Sequence, residues 1–107
     1  MSYDQAAEKL IRESGVEQST MMKTPCLRYK GEFLAMMFEK EDALIIKVSA
    51  ERVGQIIAQG KGNEFSFTKK RFKEWVLIPI DYENDYEAYI YEALAYAKGK
   101  ASVKSDT

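Results

Sequence analysis

Four cations and one aromatic ring occur together at residues 69–73, as Lys69, Lys70, Arg71, Phe72 and Lys73. Lysine and arginine side chains neutralise phosphates, and an exposed aromatic ring stacks on an unpaired base or wedges beside one. The segment therefore predicts a contact with nucleic acid. The alternative is a solvated tip between two strands, whose charges prevent edge pairing and keep the protein soluble. The sequence leaves both interpretations open.

A second group of cations could extend this basic segment. Arg28 and Lys30 lie two residues apart on a predicted strand, and Lys47 lies on another strand of the same sheet. With residues 69–73 they would form a basic stripe across an open sheet face. The alternative is cross-strand pairing with Glu32 or Glu39, in which each contact contributes only ~0.2–1 kcal/mol.

The residue types that are missing exclude much catalytic chemistry. The chain has no histidine and one cysteine, Cys26. It therefore has no Ser-His or Cys-His pair, no histidine-containing zinc site and no internal disulfide. A cationic neighbour such as Arg28 could activate Cys26, but a small buried hydrophobic residue is the favoured reading. We expect no enzyme activity, no cofactor and no metal.

Length and charge are those of an ordinary soluble domain. The chain has 107 residues, of which 16 are basic and 17 acidic, for a formal net charge of −1. The overall charge therefore does not indicate an acidic partner such as nucleic acid. A prediction of nucleic-acid binding rests on the local clustering of cations. Residues 1–12 lack the apolar core of a signal peptide, and no apolar run approaches the ~20 residues of a membrane span. We expect a cytoplasmic protein without a membrane partner.

The basic segment lies between two segments with strand character. Phe65 and Phe67 alternate with polar residues, as on a half-buried strand. Residues 75–80 form an apolar run rich in residues that favour a pleated surface. We therefore predict a β-hairpin whose apolar base packs beneath the helices and whose cationic tip lies in water.

Three further strands are predicted at residues 26–29, 32–38 and 43–48. Their connections are too short for a parallel crossover, so they form an antiparallel meander, with Lys30-Gly31 as its first turn. Leu44 and Ile46 should share one face of the sheet, and Ile45 the other. Residues 15–25 show no sustained periodicity and are predicted to be a connection.

Helical spacing predicts three helices. The first covers residues 3–14, with Ser2 in a capping box and Ile11 on its apolar stripe. The second is capped by Ser49 and ends at Gly60. The third covers residues 84–97 and ends at Gly99, with Tyr86 and Tyr89 packed and Tyr91 projecting outward. The tyrosine assignment follows from the angle of about 100° per residue.

The predicted element order is α-β-β-β-α-β-β-α. This order gives an α+β two-layer sandwich, in which a five-stranded antiparallel sheet carries the helices on one face. The other face would be partly open, as is common for antiparallel sheets. Residues 1–99 would form a single domain, followed by a polar frayed tail at residues 100–107.

Several segments, taken in order, resemble the MmcQ/YjbR-like family, with a looser similarity to the N-terminal domain of the TfoX competence regulators. Residues 24–35 read T-P-C-L-R-Y-K-G-E-F-L-A, similar to that family's T-P-x-x-R-x-x-G-K-x-F-A. Residues 43–48 resemble its L-V-x-K strand, residues 65–77 its F-x-x-T…W-V-L hairpin, and residues 91–94 its final helix. The chain differs at Glu32, where the family often has a basic residue, and at the hairpin tip, which lacks the family's H-Y-R-G pattern.

The resemblance implies a small α+β domain that is described as nucleic-acid-binding and has no established enzymatic activity. Together with the basic segment it predicts a regulatory or nucleic-acid-associated domain that binds DNA through a hairpin wing. The expected contacts are Lys69, Lys70, Arg71, Phe72, Lys73, Arg28 and Lys30. The alternative is a protein-interaction or adaptor domain without nucleic-acid binding. It would form a homodimer, or bind another protein, through the open sheet face or the last helix.

Overall fold

The computed structural model describes residues 3–21, 24–38, 42–67 and 70–105, with side chains at 3–20, 24–38, 42–65 and 73–99. The helices are α1 (Tyr3–Leu10), α2 (Ala50–Ala58) and α3 (Tyr86–Ser105), and a 3-10 segment (Ile80–Asp85) precedes α3. The strands are β1 (Val16–Met21), β2 (Thr24–Tyr29), β3 (Glu32–Phe38), β4 (Ala43–Lys47), β5 (Asn63–Phe67) and β6 (Lys70–Pro79). No helix in these described ranges is both long and apolar enough to cross a membrane.

The strands form one antiparallel sheet in the order β1-β2-β3-β4-β6-β5. The α+β class, the antiparallel sheet and the three helices are therefore as predicted. The number of strands is wrong, because the sheet has six strands and not five. The additional strand is β1, which pairs with β2 within the segment predicted to be a connection.

The predicted turn between β2 and β3 is confirmed by its backbone angles. Lys30 has φ 47° and Gly31 has φ 89°. Positive φ at both central residues is characteristic of the tight hairpin turn whose twist matches that of the flanking strands. The turn therefore lies at the end of the sheet where β2 connects to β3.

The larger core lies between the helices and one face of the sheet. Strand alternation places Leu44 and Ile46 on this face, where both are fully buried. They pack in one cluster with the α3 residues Tyr86 and Ile90. Ile45 belongs to a separate cluster, so the predicted division of β4 between two faces is confirmed.

The second sheet face differs from the partly open surface that we predicted. It carries a cluster of five buried residues, each at most 5% exposed: Cys26, Phe33, Met36, Ile45 and Phe65. Trp75 packs against this cluster, with its ring stacked on Phe33 at a centroid distance of 4.3 Å. The base of the hairpin is therefore divided between the two faces. Val76 and Ile78 lie with the helices, and Trp75 lies on the opposite side.

The helix ends differ from their predicted positions. α1 stops at Leu10, four residues before the predicted end at Ser14, and Ile11 is 41% exposed and not on a packed stripe. α3 continues through Gly99 to Ser105, so the predicted end at Gly99 is wrong. The predicted cap residue Ser2 and the last two residues, 106 and 107, lie outside the described residues.

Other helix predictions are confirmed. Ser49 has extended backbone angles, and its side-chain oxygen accepts a hydrogen bond from the Arg52 N–H at 3.1 Å. Tyr86 and Tyr89 are buried, and Tyr91 is 37% exposed. The position of each tyrosine follows from the turn of the helix, because Tyr86 and Tyr89 share its packed side and Tyr91 projects from another side.

Polar contacts connect the helices across their exposed sides. Arg52 of α2 forms a two-pronged ion pair with Glu92 of α3, with N···O distances of 2.6 and 3.2 Å. Lys9 of α1 pairs with Glu87 of α3 at 3.0 Å. A single pair such as Lys9–Glu87 contributes little to stability, whereas the two-pronged, partly buried pair Arg52–Glu92 has the geometry that contributes more. Burial of the apolar faces accounts for most of the packing energy.

Two glycines near α2 should respond in opposite directions to alanine. At Gly62 an added Cβ would lie 2.8 Å from methyl carbons of Ile56 and Val76, both of which are stiff β-branched residues. We expect Gly62→Ala to destabilise the fold by about 1–3 kcal/mol. At Gly54, inside α2, an added Cβ meets no atom within 4 Å. Gly54→Ala should therefore stabilise by about 1 kcal/mol.

Urea denaturation of the two glycine variants beside the parent measures both effects. Each variant adds the same methyl group, so the comparison isolates the space around it. Destabilisation by Gly54→Ala, or an unchanged midpoint for Gly62→Ala, would contradict the packing of α2 on β6.

Candidate nucleic-acid interface

The β5–β6 hairpin extends beyond the rest of the sheet. β6 has ten residues, whereas its neighbour β4 has five and pairs only with residues 75–79. One further backbone hydrogen bond, from the Val48 N–H to the Glu74 carbonyl at 2.9 Å, ends this contact. Beyond it, residues 70–72 of β6 pair with residues 65–67 of β5 alone. We call residues 65–67 of β5 and residues 70–73 of β6 the ribbon.

The sequence explains why β4 stops where it does. After Val48 the chain turns into α2, and the Ser49 cap satisfies an N–H of the first helical turn. β6 therefore loses its partner on that side at the position where the basic residues begin. On the β5 side the register shifts between Glu64 and Phe65, which is typical of a bulge that re-aims the strand beyond it.

The predicted contact residues of the ribbon are described to different extents. Lys73 lies on β6 with an exposed side chain and makes no ion pair within the described part of the chain. For Lys70, Arg71 and Phe72 only the backbone is described, and it belongs to β6. Lys69 lies outside the described residues. The two paired strands of the predicted hairpin are thus confirmed, but residues 70–73 lie on strand β6 and not in the tip between the strands, as was predicted. The roles of the cations stay predictions.

Arg28 and Lys30 lie at the same end of the sheet as the ribbon, because the β2–β3 turn and the end of β4 are neighbours. The Arg28 guanidinium donates a hydrogen bond to the Gly31 carbonyl at 3.3 Å. The exposed Lys30 ammonium lies 5.5 Å from the centre of the Tyr29 ring. β2 is three strand positions from β6, so the two strands lie about 14 Å apart in the sheet.

Lys47 does not extend the basic stripe. Its ammonium lies 3.4 Å from a Glu32 carboxylate oxygen and 4.0 Å from a Glu74 carboxylate oxygen. The predicted cross-strand pairing with Glu32 therefore involves Lys47, and two carboxylates offset its charge. Glu39, the other predicted partner, lies outside the described residues.

A groove of about 270 Å³ lies between α2 and the root of the ribbon. The lining residues come from both sides: Ala50, Val53, Gly54, Ile57, Glu64, Lys73 and Trp75. Sequence reasoning missed it, because no motif shows that α2 packs beside β6. The one available signal was Gly54, a helix-interior glycine that removes a side chain from the groove wall.

Charge is separated along β6. The ribbon is at its first end, and the 3-10 segment with Asp81, Glu83 and Asp85 follows its last residue, Pro79. A ten-residue strand spans about 30 Å, so the basic and acidic groups lie far apart in a small domain. The net charge of −1 therefore conceals a strongly uneven distribution.

Cys26 is not placed for nucleophilic chemistry. It is 1% exposed on the second sheet face. Burial raises the pKa of the Cys26 thiol, and the neighbouring Arg28 guanidinium only partly opposes that shift. A raised pKa keeps the thiol protonated at neutral pH, whereas the thiolate is the nucleophile. Within the described ranges, no group of three or more acidic or cysteine side chains is arranged to hold a metal.

Comparisons of the chain with family models, with curated proteins and with solved structures found no match. The resemblance to the MmcQ/YjbR-like family therefore stays a prediction that rests on the sequence motifs. The function of the interface is inferred from its geometry and its charge.

Proposed function

We propose that the protein is a non-enzymatic, nucleic-acid-associated domain that contacts phosphates through the ribbon. The observation that carries the proposal is that the basic residues begin where β6 parts from β4. A two-stranded ribbon that extends past the sheet fits the major groove of a duplex, and cations along it contact the flanking phosphates. The family resemblance agrees with this role.

The charge separation along β6 supports the same function. A phosphate backbone is attracted to the ribbon end and repelled by the acidic 3-10 segment, so the domain approaches nucleic acid in one orientation. Lys30 and Arg28, about 14 Å from β6, lie where the flanking backbone of a duplex would pass. They provide a second point of contact that fixes the approach.

The groove beside the ribbon offers a site for an unpaired base. Lys73 lines it together with the apolar α2 residues Val53 and Ile57, whereas the Trp75 ring is stacked on Phe33 on the second sheet face. In single-strand binding proteins, such cations follow the nucleic-acid backbone beside the surface that holds the bases. Binding of a single strand in preference to a duplex would indicate that the groove takes part.

Neutralising the ribbon should weaken binding and reduce its dependence on salt. If four cations contact phosphates, the logarithm of affinity falls with the logarithm of salt concentration with a slope of about −3.6 on duplex DNA. The triple variant Lys69→Gln, Lys70→Gln and Arg71→Gln should reduce the magnitude of the slope by about 2.7. Fluorescence anisotropy with labelled duplex and single-stranded oligonucleotides, at several salt concentrations, measures both quantities.

A control variant with the same charge change tests whether position matters. Lys9→Gln, Arg12→Gln and Lys98→Gln remove three cations from α1, from the turn after it and from α3. This control should keep the parent slope if the ribbon is the contact. Equal losses in both variants would indicate non-specific attraction, and absence of binding by the parent at low salt would reject the proposal.

The alternative of self-association through the second sheet face gains no support from its described residues. Those that form its cluster are at most 5% exposed, so they offer little apolar surface to a partner. On the last helix, Tyr91 is exposed, but a single exposed aromatic ring is normal on a monomer.

A further inference from the structure

The two edges of the sheet are protected to different degrees. β5 has a register shift between Glu64 and Phe65. β1 pairs with β2 over all six of its residues without a shift, and its sequence V-E-Q-S-T-M contains no lysine, arginine or proline. Bulges, lysines and prolines are the usual means by which proteins prevent an edge strand from pairing with another chain. β1 has none of them.

The register with β2 shows which backbone groups of β1 point outward. Thr20 lies opposite Pro25, and proline has no N–H to donate. The two therefore form a pair of the non-hydrogen-bonded kind, and the two kinds alternate along an antiparallel ladder. It follows that Glu17 and Ser19 bond to β2. The N–H and C=O groups of Gln18 and Thr20 point away from the sheet.

The surroundings of this edge leave room for another strand. Gln18 and Thr20 have exposed side chains. Beside them runs a shallow groove of about 530 Å³, lined by Tyr3, Gln18, Ser19, Thr20, Pro25, Cys26 and Leu27. The edge is thus polar and accessible over the described part of its length.

We propose that β1 is a dimer interface, at which a second copy of the chain adds its own β1 in antiparallel orientation. With the two-fold axis at Ser19, Gln18 of one copy lies opposite Thr20 of the other. Each such pair exchanges both of its N–H···O bonds, and symmetry repeats the pair on the other side of the axis. The result is one continuous sheet across both copies, without a change in either fold.

Charge favours a second copy as the occupant. The one ionisable residue of β1 is Glu17, which in this register lies opposite Met21 of the other copy and not opposite another carboxylate. Like charges directly opposite each other would oppose pairing, and none meet here. The strand is self-complementary, because its outward groups are one donor and one acceptor on each of two polar residues. A symmetric interface requires this property.

Hydrogen exchange at different protein concentrations tests the proposal without mutation. Amides of Glu17 and Ser19 should be protected at every concentration, since they bond to β2. Amides of Gln18 and Thr20 should exchange freely in dilute solution and slow by about tenfold or more once the dimer predominates. Exchange at Gln18 and Thr20 that is independent of concentration, into the millimolar range, would overturn the proposal.

Two variants of Thr20 distinguish backbone pairing from other contacts. Thr20→Pro removes an outward N–H at an edge-strand position, where proline is tolerated, and should reduce the sedimenting mass from dimer to monomer. Thr20→Val has nearly the same shape and keeps the N–H, so the dimer should persist. A dimer that survives Thr20→Pro, or is lost in Thr20→Val, would assign the interface elsewhere. These measurements need no nucleic acid, so their outcome is separate from that of the ribbon variants.

Discussion

Replacing Phe65 by alanine should lower the free energy of unfolding by about 3–5 kcal/mol. Residues of an outer strand usually tolerate truncation, but Phe65 is 2% exposed. Its ring meets Phe38 edge-on at 5.9 Å and Trp75 at 5.4 Å between centroids. Removing the ring removes the contacts that join β5 to β3 and β6, and it leaves a cavity beneath Trp75.

Denaturant titration of Phe65→Ala measures the loss, with Tyr91→Ala as the matched control. Both substitutions remove an aromatic ring, but Tyr91 is 37% exposed on α3. Truncation at such a site should cost no more than about 0.5 kcal/mol. A cost below about 1 kcal/mol for Phe65→Ala would mean that the second sheet face is not a packed core.

Replacing Tyr86 by alanine should be equally damaging, at about 3–5 kcal/mol. Tyr86 begins α3, is fully buried, and its hydroxyl donates a hydrogen bond to the Ile78 carbonyl at 2.9 Å. The residue therefore joins the last helix to β6 by packing and by a polar contact. Tyr86→Phe keeps the ring, and it should cost only about 1 kcal/mol for the lost hydrogen bond.

Tyr86 also predicts a loss of stability in alkali. Burial raises the pKa of Tyr86 from 10.0 to about 12, and the nearby Glu83 carboxylate adds to the shift. Because the pKa is higher in the folded state, the stabilisation is complete below pH 10. It is lost as the pH rises to about 12, by on the order of 2–3 kcal/mol. Unfolding at a series of pH values measures this loss.

Tyr86→Phe provides the control for the alkaline transition, because phenylalanine cannot ionise. Its stability should fall less steeply between pH 10 and 12 than that of the parent. Burial also raises the pKa of Tyr3 and of Tyr89, so part of the slope should remain in the variant. Identical slopes in the two proteins would show that the Tyr86 hydroxyl is not held in its neutral form.

Much of the architecture could be predicted from local patterns. The alternation of Leu44, Ile45 and Ile46, the cap at Ser49 and the Lys30-Gly31 turn each depend on neighbours within a few residues. Such features appear in the sequence because the physics that produces them is local. The predicted class and antiparallel sheet follow from them.

β1 escaped prediction because its stability comes from another strand. Of its residues with described side chains, only Val16 is buried, so the strand has no apolar alternation. An outer strand with one partner needs little side-chain burial, and its backbone bonds to β2 leave no trace in the composition. The pairing partner determines such a strand, and a single sequence does not show which segment that is.

The second core was hidden by an irregularity. Between Leu27 and Arg28 the register of β2 against β3 shifts by one residue. Phe33 and Met36 therefore share a face although they are three residues apart, which breaks the alternation that identifies a buried strand face. The apolar run in β3 gave no indication that it serves two cores.

The sequence predicted which residues form the candidate site, but it did not predict the three-dimensional arrangement of the site. The clustering of residues 69–73 is visible in the sequence, and so is the hairpin that carries them. That the ribbon extends past the sheet depends on where β4 ends. The groove beside it depends on how α2 packs. Both are relations between segments distant in the chain, which no local pattern reports.

Trp75 is the single tryptophan of the chain, and it lies at the root of the ribbon, stacked on Phe33. Intrinsic fluorescence excited at long wavelength therefore arises from this one place. Its emission will report opening of the aromatic cluster during unfolding, and any change at the root of the ribbon when a ligand binds, without an attached dye. The molecule thus carries a built-in optical reporter at the position where its proposed function is concentrated.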